Sequence, residues 1–194
     1  MPEGHQVVGP VYAHLPGEVP EIVADLAAGP KPLVYFAVGS SGNRDLVLDV
    51  LRGLGRADCQ VLAPVRSHLH PEDLKTLPLN VHVTDWIPAH QLGDAVDLAI
   101  THGGEGTVQT SCAQGWPFIG IPLQFEQRFN VQRCAAFGSA RLVSQKEARA
   151  ADWAALVRQA LADEVMRSRA RRMAELMEGL DGPGRAAEAI CELL

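Results

Sequence analysis

Apolar runs rich in β-branched and aromatic residues alternate along the chain with segments of helical periodicity. Helices are predicted near Asp45 to Leu54, from about Glu105 and from about Asn130. The predicted strands are Leu33 to Val38, Cys59 to Ala63, Val81 to Val83, Leu98 to Ile100, Phe118 to Ile121 and Arg141 to Val143. Strands separated by helices at short intervals indicate right-handed crossovers and a parallel sheet. We therefore predict an α/β fold, a Rossmann-like parallel sheet with helices on both faces, whose ligands bind at the carboxyl ends of the strands.

The two ends of the chain have different patterns from the middle. Residues 1–32 contain six prolines and are predicted to form an interdomain linker with a short helix at about Glu21 to Ala28. From Ala151 the sequence has a 3.6-residue apolar period, which predicts two or three helices, with Asp152 as an N-cap and Gly179 as a stop. The predicted domains are the linker (1–32) and a Rossmann-like domain with C-terminal helices (33–194).

Composition and charge narrow the classes of partner. The chain has 194 residues, 47% of them hydrophobic, and a formal net charge of -6, so we expect a buried core and no nucleic-acid binding. No apolar run reaches the roughly 20 residues that span a bilayer, and "MPEGHQVVGP" lacks the features of a secretory leader. The four cysteines have no metal-site spacing and are expected to be reduced thiols of a cytoplasmic protein.

The segment "THGGEGT", residues 101–107, follows a predicted strand and opens a predicted helix. Gly103 and Gly104 would let an anion reach main-chain N–H groups, Thr107 adds a hydroxyl, and His102 adds a ring nitrogen at the strand end. Two or three such hydrogen bonds, each worth roughly 1.5–3 kcal/mol, could hold a diphosphate. The alternatives are a tight turn and a structural histidine. A metal site is not predicted, because no second ligand lies at suitable spacing.

Three further segments carry candidate binding residues. "AVGSSGN", residues 37–43, places Ser40 and Ser41 before a helix, where they could bind phosphate or only cap the helix. "TDWIPAHQL", residues 84–92, places Trp86 past a strand, where an indole could stack on a planar base or belong to the core. In "GWPFIGIPLQFEQRFN", residues 115–130, Glu126 and Gln127 follow a strand and could bind sugar hydroxyls, or be solvated loop residues.

In this order, the motifs resemble the nucleotide-sugar-binding half of GT-B glycosyltransferases, especially bacterial macrolide and natural-product glycosyltransferases and their UDP-glycosyltransferase relatives. The resemblance runs from about Val7 to the C-terminus and is strongest from Thr84 to Gly138. It implies one half of a GT-B fold. It also implies a residue set for the donor: Ser40 or Ser41, His102, Gly103, Gly104, Gly106 and Thr107 on the diphosphate, Trp86 and the Ile87 main chain on the base, and Glu126 and Gln127 on the transferred sugar.

The sequence departs from the family pattern at several of these places. Ala89 stands where the family usually has Gln, Thr110 stands where many relatives have a ribose-binding Glu, and Glu126 replaces the more usual Asp. Glu105 would repel a neighbouring diphosphate unless its carboxylate points away. Family members are about twice this length, and the missing N-terminal domain would contain the acceptor pocket and the catalytic base. No catalytic residue is therefore assigned within this chain.

The function implied by the resemblance is that of the donor-binding half of an inverting glycosyltransferase of the hexosyltransferase type. It would use a UDP- or dTDP-sugar as donor substrate, require no metal, hold no permanent cofactor and be inactive as an isolated half. The expected partners are an N-terminal acceptor-binding domain or subunit and a second copy meeting it through the exposed half-cleft. Alternatives are a non-catalytic nucleotide-binding or scaffold subunit that activates a partner, and a sugar-nucleotide epimerase. The acceptor, the base and the sugar are left open.

Overall fold

The computed structural model describes residues 5–12 and 14–192. Residues 1–4 and 13, which belong to the predicted linker, and residues 193–194 of the predicted domain lie outside the described residues. The strands are β1 (Leu33–Ala37), β2 (Gln60–Ala63), β3 (Val81–Val83), β4 (Leu98–Thr101), β5 (Phe118–Gly120) and β6 (Ala140–Leu142). The helices are α1 (Ile22–Ala28), α2 (Arg44–Leu54), α3 (Pro71–Leu74), α4 (Glu105–Gln114), α5 (Phe125–Phe137), α6 (Gln145–Ala150), α7 (Trp153–Leu161), α8 (Glu164–Met177) and α9 (Gly182–Cys191).

The strands form one parallel sheet in the order β3-β2-β1-β4-β5-β6. The chain winds outward in one direction from β1 and in the other direction from β4, so the strand order reverses between these two neighbours. In open α/β sheets a ligand crevice forms at such a reversal, outside the carboxyl ends of the strands. The predicted Rossmann-like fold is confirmed, and its switch point lies directly after Ala37 and Thr101.

Both faces of the sheet are buried, as the near-continuous apolar strands require. Alternate side chains of β1 divide between two clusters: Val34 and Phe36 pack on the side of α2, α6 and α7, whereas Leu33 and Tyr35 pack on the side of α1, α4 and α5. The C-terminal helices join the first cluster mainly through Trp153, which is 1% exposed and donates its indole N–H to the Ala148 carbonyl at 2.9 Å.

The boundaries agree with the sequence pattern at most elements and differ at α5. Asp152 caps α7 through the Ala155 N–H, and Gly179, with φ +71°, follows the end of α8, as predicted. The prediction that a helix begins at about Asn130 is wrong, because α5 begins at Phe125. The side chains of Gln124 and Gln127 form a capping box that satisfies main-chain groups at this earlier start.

Two helices were not predicted, and both begin with a polar cap. Asp73 accepts from the His70 N–H at the start of α3, and Ser144 and Glu147 form a capping box at the start of α6. Among the described residues, no helix combines the length and the apolar composition needed to cross a membrane. The four cysteines are free; Cys59, Cys112 and Cys134 are buried and Cys191 is exposed.

The packing of Trp153 on α2 predicts an unusual response to an alanine substitution. Alanine normally stabilises a helix relative to glycine by about 1 kcal/mol. A Cβ at Gly53 would, however, collide with the Trp153 ring, and such overpacking costs about 1–3 kcal/mol. We expect Gly53→Ala to lower the free energy of unfolding measured by urea denaturation. Gly106→Ala is the matched control, because nothing lies within 4 Å of a Cβ there; equal effects of the two substitutions would contradict this packing.

Candidate functional site

Two loops leave the sheet side by side at the switch point. The first loop, residues 38–43, connects β1 to α2, and the second loop, residues 102–104, connects β4 to α4. The two strands are paired through Ala37 and Thr101, the last residues of each. The register therefore holds the two loops next to each other, although their residues are some sixty positions apart in the sequence.

The imidazole of His102 fills the space between the two loops. A Cβ at Gly39 would lie 2.8 Å from His102 Cε1, and a Cβ at Gly104 would collide with His102 Nε2. Gly39 also has φ +54°, a conformation that side chains other than glycine's rarely tolerate. The ring thus lies against main chain on two sides, and glycine is required at both contacts.

His102 is buried, and its ring has an unmet hydrogen-bonding need within the described chain. The side chain is 7% exposed, and Nδ1 has no hydrogen-bond partner among residues 5–12 and 14–192. Burial lowers the pKa of His102, hydrogen bonding to the Ala37 main chain opposes this, and nearby His68 lowers the pKa further. A neutral ring with one unpartnered nitrogen fits a group that meets a polar ligand better than a satisfied structural histidine.

His68 supports the first loop from the neighbouring strand connection. It ends a 3₁₀ turn, Arg66–His68, that follows β2, and its Nε2 donates to the Gly39 carbonyl at 2.7 Å. This contact holds the Gly39 main chain against the His102 ring. The sequence did not indicate His68, because no local motif connects it to a residue 29 positions away.

The hydroxyls around the second loop form a continuous hydrogen-bonded chain. The Gly103 N–H donates to Thr101 Oγ1 at 3.2 Å, Thr101 Oγ1 donates to Thr107 Oγ1 at 2.7 Å, and Thr107 Oγ1 donates to the Gly104 carbonyl at 2.9 Å. Thr107 therefore fixes the loop to the first turn of α4. Its hydroxyl still has acceptor capacity, but its proton is used within the protein.

The N-terminus of α4 opens next to His102 without a side-chain cap. Gly104 is the N-cap residue, and the first helical hydrogen bond runs from Val108 N–H to its carbonyl. The main-chain N–H groups of the first turn lack helical partners and carry partial positive charge. The Glu105 carboxylate accepts from Gln109 Nε2 at 3.1 Å, one turn along the helix. Glu105 is thus directed along the helix surface. This is the orientation that the sequence analysis required if an anion binds next to Glu105.

Trp86 lies beyond β3, and its indole is 57% exposed. One edge of the ring approaches Gly17 of the linker, where an added Cβ would lie 2.8 Å from Trp86 Cζ3. The alternative of a core tryptophan is therefore wrong. Ile87 follows with a buried side chain. Trp86, Ile87, Gly106 and Thr107 line one cleft of about 220 Å³.

Gln127 and Glu126 belong to the first turn of α5, so neither is a loop residue; of the two, only Glu126 is solvated. Gln127 is 2% exposed, and its Oε1 accepts from the Leu123 and Gln124 N–H groups at 2.8 and 3.1 Å. Its Nε2 donates to Ser41 Oγ at 3.4 Å, which brings the first loop to α5. Ser40, by contrast, is exposed.

Glu126 remains exposed and has a neighbour that sequence reasoning missed. Asn130 Nδ2 donates to Glu126 Oε2 at 3.2 Å and to the Gly103 carbonyl at 3.1 Å. Asn130 thereby connects the proposed sugar ligand to the glycine-rich second loop. The four-residue spacing on a helix could have revealed the first contact had the start of α5 been placed correctly. No group of three potential metal ligands occurs in the part of the chain that the structure describes.

The fold and this site define the C-terminal half of a GT-B glycosyltransferase. The chain belongs to the family described as "Erythromycin biosynthesis protein CIII-like, C-terminal domain", whose model matches residues 48–193. A PGL/p-HBAD biosynthesis glycosyltransferase of Mycobacterium tuberculosis is 30% identical over 175 residues, 90% of this chain and 40% of that protein. The predicted family resemblance is thus confirmed.

Solved structures give the same result for the fold. The calicheamicin glycosyltransferase CalG4 is 25% identical with a TM-score of 0.77, over 94% of this chain and 45% of that one. The spinosyn rhamnosyltransferase SpnG, solved with thymidine diphosphate, is 20% identical with a TM-score of 0.77, over 95% of this chain and 51% of that one. The chain spans about 40% of the curated relative's length and about half of these structures.

The burial of neutral His102 predicts a pH-dependent stability. Because its pKa in the folded state is below the ordinary value of 6.5, the unfolded chain binds a proton more readily, and stability falls as the pH falls through about 6.5. We expect His102→Gln to lose less stability than the wild type between pH 8 and pH 5, measured by urea denaturation. His5→Gln, at an exposed position, is the control. Parallel pH profiles for the wild type and His102→Gln would contradict a buried neutral ring.

Proposed function

We propose that this chain binds a nucleoside diphosphate sugar and acts as the donor half of an inverting glycosyltransferase. The observation that carries the proposal is the meeting, at one switch point, of His102, the glycine-rich second loop and the uncapped N-terminus of α4. A helix N-terminus with accessible main-chain N–H groups favours an anion such as a diphosphate. The overall charge of -6 opposes an anion, so binding must come from this local geometry.

The remaining candidate residues are assigned by their position around that centre. Trp86 would stack on the base, and the Ile87 main chain would read its edge; both line the cleft that reaches Gly106 and Thr107. Ser40 would reach a phosphate from the first loop. Ser41 contacts Gln127, so these two would act on the donor from one point between the first loop and α5.

The transferred sugar is assigned to the start of α5. Glu126 is exposed and oriented by Asn130, which fits a carboxylate that accepts from sugar hydroxyls. Gln127 uses its carbonyl oxygen as a helix cap, so only its amide N–H groups are available to the sugar or its phosphate. We propose that Glu126 supplies most of the sugar recognition and that Gln127 mainly fixes the loop geometry.

The chemical contribution of this half would be electrostatic. During sugar transfer negative charge grows on the departing diphosphate, and fixed N–H donors stabilise it without rearranging. The α4 N-terminus and His102 are such donors, so we propose that binding does not depend on an added metal ion. Removal of the acceptor proton would be carried out by an acceptor-binding half. The matched relative is long enough to contain such a half, since this chain spans about 40% of its length.

Calorimetric titration with thymidine diphosphate and uridine diphosphate tests donor binding. We expect binding of thymidine diphosphate in buffer with EDTA, weakened about tenfold or more by Trp86→Ala and by His102→Ala, because stacking and a charge-assisted hydrogen bond each contribute roughly 1–3 kcal/mol. Leu79→Ala, at a fully exposed side chain, is the control. We also expect thymidine diphosphate to bind more tightly than uridine diphosphate. The Thr110 hydroxyl donates to the Gly106 carbonyl, and position 110 has no carboxylate that could bind the two hydroxyls of a ribose.

Absence of nucleotide binding by the folded wild-type chain, or binding by both variants as tight as that of the wild type, would contradict this site.

A reconstituted enzyme separates the enzymatic function from the scaffold alternative, which the departures at Ala89 and Thr110 favour. The chain would be fused to the acceptor half of CalG4 and assayed for sugar transfer. If the chain is a donor half, it should support sugar transfer, and His102→Ala should abolish that transfer. If it is a scaffold, it should activate its partner equally with His or Ala at position 102. The unfused chain should bind nucleotide without turnover.

The exposed Phe125 and Phe129 are consistent with the predicted self-association through the half-cleft, which stays a prediction.

A further inference from the structure

A stack of three rings fixes the N-terminal linker to the turn that follows Trp86. The ring centroids of Tyr12 and His14 are 5.0 Å apart with an interplanar angle of 19°, and those of His14 and His90 are 4.1 Å apart with an angle of 8°. His90 belongs to the 3₁₀ turn Ala89–Gln91. The stack therefore places a linker side chain, His14, next to residues of the sheet edge.

Both imidazoles line the cleft that also contains Trp86 and Gly106. In a nucleoside diphosphate the pentose connects the base to the diphosphate. If the base lies on Trp86 and the diphosphate lies at the start of α4, the pentose occupies the intervening part of this cleft. His14 and His90 are therefore placed for the pentose.

The other side chains of the cleft provide few free hydrogen-bonding groups for a sugar hydroxyl. Ala89 has no polar side-chain atom. The hydroxyl protons of Thr107 and Thr110 are donated to the carbonyls of Gly104 and Gly106 at 2.9 and 2.8 Å. Tyr35 also lines the cleft but is only 7% exposed.

The ring of His90 is prepared to donate. The Gln91 side-chain N–H faces His90 Nε2 at 3.5 Å, an arrangement that favours the tautomer with the proton on Nδ1. Partial burial, and secondarily His14, lower the pKa of His90, which favours the neutral ring. The Gln114 amide also holds the His90 carbonyl at 3.1 Å, so the turn that carries the ring is fixed to α4.

We propose that His14 and His90 form the pentose-binding part of the donor site, with the linker supplying one of the two rings. The inference rests on the proposed nucleotide-binding function. In this chain a stacked pair of imidazoles would bind the pentose, in place of a polar side chain at position 89 or a carboxylate at position 110. It also makes the linker a part of the donor site.

The test compares two ligands on each variant: thymidine diphosphate, which contains the pentose, and inorganic pyrophosphate, which lacks it. We expect His14→Ala and His90→Ala to raise the Kd of thymidine diphosphate about tenfold, a change of about 1.4 kcal/mol, and to leave the Kd of pyrophosphate unchanged. His90→Gln, which keeps an N–H donor, should recover part of the loss. His82→Ala is the control, because His82 contacts Gln60 on the neighbouring strand and does not line the cleft.

The ratio of the two dissociation constants is measured on the same folded molecules, so partial unfolding of a variant does not change it. An unchanged ratio in both alanine variants, with tight binding by the wild type, would overturn the pentose assignment and leave the proposed function standing. A loss of both ligands in the variants would overturn it as well, because the effect would then belong to the phosphate site. A wild-type chain that binds neither ligand would overturn the proposed function and this inference together.

Discussion

The site depends on the contact between the His102 ring and the two glycines that enclose it. β1 and β4 are neighbours at the reversal of strand order, and the loops that follow them leave in different directions. The space between these two loops must therefore be filled. The imidazole fills that gap, and only residues without a Cβ allow the main chains of Gly39 and Gly104 to approach it. The same contact buries a ring whose Nδ1 has no partner in the described chain. A polar requirement is thus created at the point where a ligand would enter.

The surrounding hydrogen bonds keep this arrangement fixed. His68 holds Gly39 from the β2 side, Asn130 holds Gly103 from α5, and Thr107 joins the second loop to α4. Main-chain N–H groups can serve as anion ligands only when their directions are set in advance, because reorientation during binding would cost free energy. The fixed loops and the uncapped first turn of α4 therefore form one unit, to which we assign the proposed anion binding.

The linker and the C-terminal helices connect this unit to the rest of the chain in different ways. Trp153 attaches α7 to α2 in the core, which is a matter of packing and stability. The linker reaches the cleft itself, through Gly17 at Trp86 and His14 at His90. A segment that looks like a simple connection in the sequence is thereby in contact with the residues assigned to the nucleoside.

The sequence by itself determined the parallel α/β sheet, the positions of its strands and the residues of the second loop. Those features follow from local apolar periodicity and from glycines next to strand ends, which are visible within a short window. The start of α5 was misplaced because its cap depends on the side chains of Gln124 and Gln127 rather than on apolar periodicity.

Only the tertiary structure decided that Trp86 is exposed, that Gln127 is buried as a cap, and that His14, His68, His90 and Asn130 surround the site. The reason is that these contacts join residues brought together by strand order and loop packing, which no local pattern encodes.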